Sequence, residues 1–230
     1  MGKRTKLEKF AENLELPNVF ENFSFEHPNL LSKFNVSADF KGSWNKNYFK
    51  NNYPIVLELA CGRGEYSLAL AKTYPSKNFI GIDIKGARIW SGAKKALEEG
   101  LHQVAFVRTN IELLPHFFGE QEINEIWITF PDPFLKKSQS NRRLTSKYFL
   151  DIYTHLLKPN SILHLKTDDL MLYEFSLENI DTHHQYQILY KKDDIYKDEL
   201  DYEDLKFKTY YEKQHLSKGR KIKYIRFSLE

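Results

Sequence analysis

The chain is poor in the residues from which many active sites are assembled. Its 230 residues include a single cysteine, Cys61. One thiol excludes an internal disulfide and fits a reducing compartment. No set of histidines, cysteines or acids falls at metal-ligand spacing, so no metal is expected, and His183-His184 reads as a polar surface pair. No apolar run is long enough to span a bilayer. The start, Met1 to Phe10, is charged and has no hydrophobic region behind it. These absences lead to the expectation of a soluble, cytoplasmic protein without a membrane partner. Charge of one sign is scarce as well. The formal net charge is +3, so affinity for nucleic acid has to come from a local patch. There is no internal repeat and no low-complexity tract.

What is present suits one α/β domain with an extension. Residues 1–50 read as a partly ordered N-terminal extension and residues 51–230 as a single domain. In the extension, Lys3, Arg4, Lys6 and Lys9 form a basic tip. A frayed terminus and an RNA-contacting arm are both open for it. Trp44, in the polar stretch Lys41-Gly42-Ser43-Trp44-Asn45, is expected to pack on something. Beyond residue 50, apolar runs predict strands at 55–59, 79–82, 104–107, 125–130, 161–166, 186–190 and 222–229. Helical spacing predicts helices at 66–73, 85–99, 111–118 (with Pro115 inside), 144–157 and 170–179. The charge-dense stretch 191–206 reads as a solvated, mobile loop. Strands alternating with helices in this way predict a doubly wound, mostly parallel sheet covered on both faces and closed by an antiparallel C-terminal strand.

The stretch Pro54 to Asp83 organises the rest. A strand ending in Glu58-Leu59 meets Cys61-Gly62-Arg63-Gly64, then a helix, then a second strand ending in Asp83. A glycine-rich first turn lets a ligand approach the backbone, and an acid about twenty positions on can accept hydrogen bonds from ribose hydroxyls. A tight strand-to-helix turn alone would also explain the glycines. Ser67 stands where a dinucleotide fingerprint has its third glycine, which disfavours a pyrophosphate site. Glu58 lies inside an apolar strand, where a carboxylate is costly unless it meets a partner. A cationic ligand is one such partner, and S-adenosylmethionine carries a sulfonium and an ammonium. The pattern resembles the first two motifs of class I S-adenosylmethionine-dependent methyltransferases.

Ligands of open α/β sheets bind outside the carboxyl ends of the strands. Glu58, Asp83, Asn110, Asp132 and Asp168 all fall at or near predicted strand ends. After Asp132 the loop brings Lys136, Lys137, Arg142 and Arg143 with no acid among them. Beside a cofactor cleft, such a loop is the footprint of a polyanionic substrate.

These residues together resemble the tRNA (guanine-N7)-methyltransferase family, over roughly residues 40–228. The matching positions are Glu58 with Gly62 and Gly64, Gly81-Ile82-Asp83, Phe130-Pro131-Asp132-Pro133-Phe134 with Lys136 and Arg142-Arg143, Lys166-Thr167-Asp168, and Thr209-Tyr210-Tyr211-Glu212. Lys41 to Asn45 resembles the lead-in of bacterial members. The resemblance implies the Rossmann-like fold of that class, S-adenosylmethionine as cofactor and a variable-loop guanine of tRNA as target. It implies that Glu58, Gly62, Gly64, Asp83, Asn110 and Asp132 line the cofactor site. It further implies that Lys136, Asp168 and Thr209 to Glu212 bind the RNA substrate, with Arg142 and Arg143 beside them. The sequence departs from the family pattern in Asp83 (often glutamate), Asn110 (often aspartate) and Phe134 (usually tryptophan). Leu135, Ser138 and Gln139 dilute the basic run. Guanine N7 carries no proton, so the lack of a catalytic histidine or cysteine motif is no objection, and Asp132 is the candidate catalytic residue. Two other readings stay open. Asp132-Pro133-Phe134 distantly resembles the [D/N]-P-P-[Y/F/W] motif of amino-methylating enzymes, and a non-catalytic RNA-binding protein could keep the same fold. Monomer and homodimer are both compatible with the sequence.

Overall fold

Runs of β-branched and aliphatic residues make the strands, and the central ones are buried on both faces. The computed structural model describes residues 4–33 and 36–230. Lys3 of the basic tip lies outside the described residues. The chain divides into two units, Met1–Gly119 and Glu120–Glu230.

In the first unit α1 (Lys6–Asn13) leads to β1 (Val19–Glu21), β2 (Leu31–Lys33) and β3 (Val36–Ser37). A π-helical turn (Asn45–Phe49) precedes β4 (Ile55–Leu59), α2 (Glu65–Thr73), β5 (Asn78–Asp83), α3 (Gly86–Glu98) and β6 (Val104–Arg108). A 3-10 turn (Ile111–Leu113) and α4 (Leu114–Phe117) follow. The strands run in the order β3-β2-β1-β6-β5-β4. β1, β6, β5 and β4 are parallel, while β2 and β3 add on antiparallel. Every residue of β4 and β5 is buried, as parallel strands covered on both faces require.

The segment before residue 50 is tied into this unit. Thr5 and Glu8 form a reciprocal capping box that starts α1. Buried Asn13, at the end of α1, donates to Glu21 on β1 (2.9 Å) and to the carbonyl of Gly86 on α3 (3.1 Å). Trp44 is fully buried, stacks on Phe118 and donates its indole N–H to the Phe117 carbonyl (2.9 Å). A tryptophan in a polar stretch does find its packing partner here.

The second unit holds β7 (Ile123–Thr129), a 3-10 turn (Lys137–Arg142), α5 (Lys147–Leu156), β8 (Leu157–Thr167), α6 (Leu170–Asp181) and β9 (Tyr186–Lys192). A further 3-10 turn (Glu203–Lys206), α7 (Tyr210–Ser217) and β10 (Lys223–Leu229) complete it. β7 and β8 are parallel; β10 lies antiparallel between β8 and β9. The chain is thus a mixed, mostly parallel α/β sheet protein with an antiparallel C-terminal strand. Among the described residues no helix is long and apolar enough to cross a membrane.

Two expectations need correction. The stretch 191–206 is charged but pinned. Ile195 and Leu205 are buried, and Asp201 accepts from the Tyr190 hydroxyl and from the Lys192 ammonium. Burial of two aliphatic side chains is what holds an otherwise solvated loop down. His183 is not a surface residue either; it is buried, with Nε2 3.0 Å from Asp151 Oδ1.

The turn after β4 is locked from outside by α3. A Cβ at Gly92 would lie 2.2 Å from the carbonyl oxygen of Arg63. Within a helix, alanine is normally preferred to glycine by about 0.8–1.0 kcal/mol. Here a backbone atom cannot yield, and the clash wins. Gly92→Ala is expected to lose about 1–3 kcal/mol of stability, read as a lower midpoint in urea denaturation.

Candidate functional site

In the first unit the loop from β4 to α2 takes the left-handed conformation at Ala60 (φ 54°), Gly62 (58°) and Gly64 (60°). A Cβ on Gly64 would meet the Phe106 ring at 2.4 Å, so glycine is required there for packing as well. Gly62 differs: a Cβ there would meet nothing within 4 Å, and its backbone borders open space. Asp83, buried at the end of β5, holds this loop. Its Oδ2 accepts from the Gly62 N–H (2.7 Å) and its Oδ1 from the Lys85 N–H (2.8 Å). Each carboxylate oxygen keeps a further lone pair for a ligand. Asn110, two residues past β6, is exposed, and its side chain does not cap the 3-10 turn it precedes.

Glu58 has found an internal partner. It is buried on β4, and its Oε2 accepts from both the N–H (2.8 Å) and the hydroxyl (2.6 Å) of Ser67. Ser67, the residue that breaks the dinucleotide fingerprint, is therefore what anchors the first turn of α2. Between the two carboxylates lies Cys61. Its thiol is pushed well up from the ordinary range by burial first, and then by the charges of Glu58 and Asp83. It is an inert thiol. An open glycine, a carboxylate with spare acceptors and an exposed amide suit a ribose-bearing planar base, and the buried negative charge suits a cationic tail. The residues present fit S-adenosylmethionine.

In the second unit, Asp132 is exposed between Pro131 and Pro133. Phe130 (φ 52°) and Phe134 (φ 43°) bracket it in the left-handed region. For bulky residues that conformation is strained, and such strain persists only where the surroundings over-determine it. The surroundings are visible. The Phe130 N–H donates to the Lys166 carbonyl (2.9 Å). The Arg143 guanidinium donates to the carbonyls of Pro133 (3.1 Å) and Phe134 (2.9 Å) and lies 4.3 Å from the Phe175 ring centroid. Arg143 is buried, so its charge serves the loop and is not presented to a phosphate. Grouping it with the phosphate-facing cations is corrected on that ground. Arg142, its neighbour, is exposed over the Phe134 ring, and Lys136 and Lys137 are exposed too.

The remaining predicted substrate residues gather at the carboxyl end of β8. Lys166 is fully buried, 2.8 and 2.9 Å from the two carboxylate oxygens of equally buried Glu212. The lysine also donates to the Phe207 carbonyl (3.2 Å), and Glu212 accepts from the Tyr196 hydroxyl (2.7 Å). Burial pulls the Lys166 ammonium below the usual lysine range, with Glu212 opposing. Thr209 caps α7 by accepting from the Glu212 N–H (3.1 Å). Asp168 pairs with Arg220 and His215, and the His215 ring stacks on Phe130. So α7 is fixed to β8 and to the loop of Asp132 at once, leaving Tyr210 and Tyr211 partly exposed on its first turn. Neither the Lys166–Glu212 pair nor the bracing role of Arg143 was read from the sequence. A lysine directly after the run Ile162 to Leu165, still within the strand expected at 161–166, was the available signal for the first.

Removing one partner of a buried pair strands the other charge. Lys166→Met is expected to cost about 3–5 kcal/mol. Lys166→Met combined with Glu212→Leu should recover most of that loss. Urea denaturation of the three proteins measures both differences.

Comparison with known proteins follows the same lines. Residues 52–225 match the family described as putative methyltransferase. The chain is 47% identical to the tRNA (guanine-N(7)-)-methyltransferase of Christiangramia forsetii, over the whole of both chains. It is 46% identical to the protein of that name from Bacteroides thetaiotaomicron, over all of this chain and 87% of that one. Among solved structures, the 16S rRNA methyltransferase KamB superposes with a TM-score of 0.61 at 13% identity, covering 85% of this chain and 97% of that one. At that identity the likeness shows the fold alone, that of class I S-adenosylmethionine methyltransferases.

Proposed function

This chain belongs to the tRNA (guanine-N7)-methyltransferase family, and we propose that its target is the guanine at position 46 in the variable loop of tRNA. It is a tRNA (guanine-N7)-methyltransferase with S-adenosylmethionine as its cofactor. Its substrate and its single buried thiol support work in the cytoplasm.

On this reading Asp83 accepts the ribose hydroxyls while keeping Gly62 in place, and Asn110 meets the adenine edge. Gly62 and Gly64 let the ligand lie against the backbone. Glu58, its Oε2 committed to Ser67, opposes the cationic methionine end by its charge. Bound S-adenosylmethionine supplies an electrophilic methyl group, whose transfer leaves S-adenosylhomocysteine and a positively charged purine. Guanine N7 attacks with its free lone pair, so no proton has to be removed. What the protein contributes is alignment, which can be worth on the order of 7–11 kcal/mol.

Asp132 carries the proposal. Its carboxylate accepts no hydrogen bond from the described protein, although strained backbone and two prolines fix it. A carboxylate so held can accept from guanine N1–H and N2–H2 together, a pairing adenine does not offer. It also opposes the charge that develops on the purine. A mere turn cap would have had a backbone N–H as partner. Lys136, Lys137 and Arg142 are proposed to meet phosphates, and Tyr210 and Tyr211 to lie against RNA. Thr209 and Glu212 are buried and committed to the α7 cap and to Lys166, so their expected contact with RNA is corrected to a positioning role: with Asp168 they set where α7 presents its tyrosines.

Purified protein with labelled S-adenosylmethionine and unmodified tRNA is expected to yield N7-methylguanosine on nucleoside mapping. N6-methyladenosine instead would overturn the assignment. Asp132→Asn should keep fold and tRNA affinity while lowering turnover by roughly 10²–10⁴; turnover within about threefold of wild type removes Asp132 from the mechanism. The two neighbouring arginines should separate. Arg142→Ala is expected to lower the log–log salt slope of tRNA binding by roughly 0.7–0.9, one phosphate contact. Arg143→Ala is expected to lower the melting temperature.

A further inference from the structure

At the carboxyl ends of β5, β6 and β1, three neighbouring parallel strands, the first unit exposes apolar and aromatic surface. Ile84, directly after Asp83, is 54% exposed, and Phe23, two residues past β1, is 61% exposed. Arg108 stands between them. Its Nε donates to the Ile84 carbonyl (3.3 Å), and its guanidinium lies 5.4 Å from the Phe23 ring centroid and 4.9 Å from that of Phe10. Its Nη1 is 3.5 Å from Glu21 Oε1, which keeps the group in place. The strand register aligns Glu21 with Arg108 and Arg108 with Asp83. The ends therefore follow one another at the usual strand spacing of roughly 4.8 Å. The segment carrying Phe23 is bound to the same edge. The Asn22 N–H donates to the Arg108 carbonyl (2.9 Å), and its amide donates to Thr109 Oγ1 (3.4 Å), beside Asn110.

An exposed phenylalanine, a guanidinium plane and an aliphatic side chain on one edge are the components of a stacking surface for a flat heterocycle. The exposed Asn110 amide supplies an edge partner for such a ring. We infer that Phe23 and Arg108 form the outer wall of the adenine subsite, so that the segment ahead of residue 50 is part of the cofactor site. The inference rests on the reading of Asp83 as the ribose acceptor. A base attached to a ribose at Asp83 lies one to two strand spacings along, where Arg108 and Phe23 stand. The alternative occupant of the same surface is an RNA base, and the test separates the two.

Phe23→Ala removes an exposed ring, so folding is not at stake, and an unchanged melting temperature checks this. Calorimetric titration of the full chain with S-adenosylhomocysteine, and separately with adenosine, should show about tenfold weaker binding of both. Affinity for tRNA, measured without cofactor, should stay as in wild type, and Phe23→Trp should restore cofactor binding. Unchanged binding of S-adenosylhomocysteine overturns the inference. If tRNA affinity falls in its place, the surface is an RNA platform. Asp83→Ala in the same titration keeps the two levels apart. Where Asp83→Ala loses binding and Phe23→Ala does not, only the wall is wrong. If Asp83→Ala also binds normally, the placement of the ribose fails with it.

Discussion

A lysine ammonium with no access to water has to be answered by an anion within reach, and in the second unit that demand falls on Lys166. Glu212 meets it, two oxygens against one ammonium, both side chains fully buried. Placing two charges there is expensive in itself. The return is geometric. Lys166 belongs to β8, and Glu212 to the first turn of α7, so the pair fixes where that helix starts. Through its backbone carbonyl the same lysine holds Phe130, the entry to the Asp132 turn. A helix bearing two tyrosines and a loop bearing a carboxylate thus take their positions from one residue.

The first unit uses its buried acids in a related way. Glu58 and Asp83 both accept from the protein itself, holding Ser67 and Gly62 respectively. The loop between β4 and α2 is shaped before any ligand arrives. Preorganisation of this kind is how a site avoids ordering costs at the moment of binding. A residue can therefore be both a structural anchor and a ligand contact, and the two roles do not compete while spare lone pairs remain.

The buried strands were legible because parallel strands covered on both faces must be nearly continuous apolar runs, and Ile55 to Leu59 or Phe79 to Ile82 offer little else. Asp83 was legible from its distance to the glycine turn. What stayed hidden depends on partners far away in sequence or on the direction of a side chain. Arg142 and Arg143 are adjacent and chemically identical, yet one faces water and the other braces two carbonyls. The pattern Thr-x-x-Glu occurs at Thr5–Glu8, Thr109–Glu112 and Thr209–Glu212. In the first and last the threonine caps a helix; in the second Asn110 stands at the cap position. Glu8 reaches back to close the box, whereas Glu212 turns to a lysine on another strand. No local pattern separates these outcomes. The short strands β1 to β3 escaped for a simpler reason, since two or three residues carry no measurable period.

The isolation of Cys61 gives the molecule a chronometer of its own. Cys61 is part of the loop that Glu58 and Asp83 shape; its thiol is buried against the sheet, and burial first, then those two charges, pushes its pKa well up from the ordinary range. An alkylating reagent reaches it when that loop leaves the sheet or when the unit as a whole opens. In a chain with no second cysteine, each modification event therefore reports on that one position. Breathing of the glycine turn is thus open to direct timing against the slower unfolding of the sheet beneath it, with no probe attached and no residue changed.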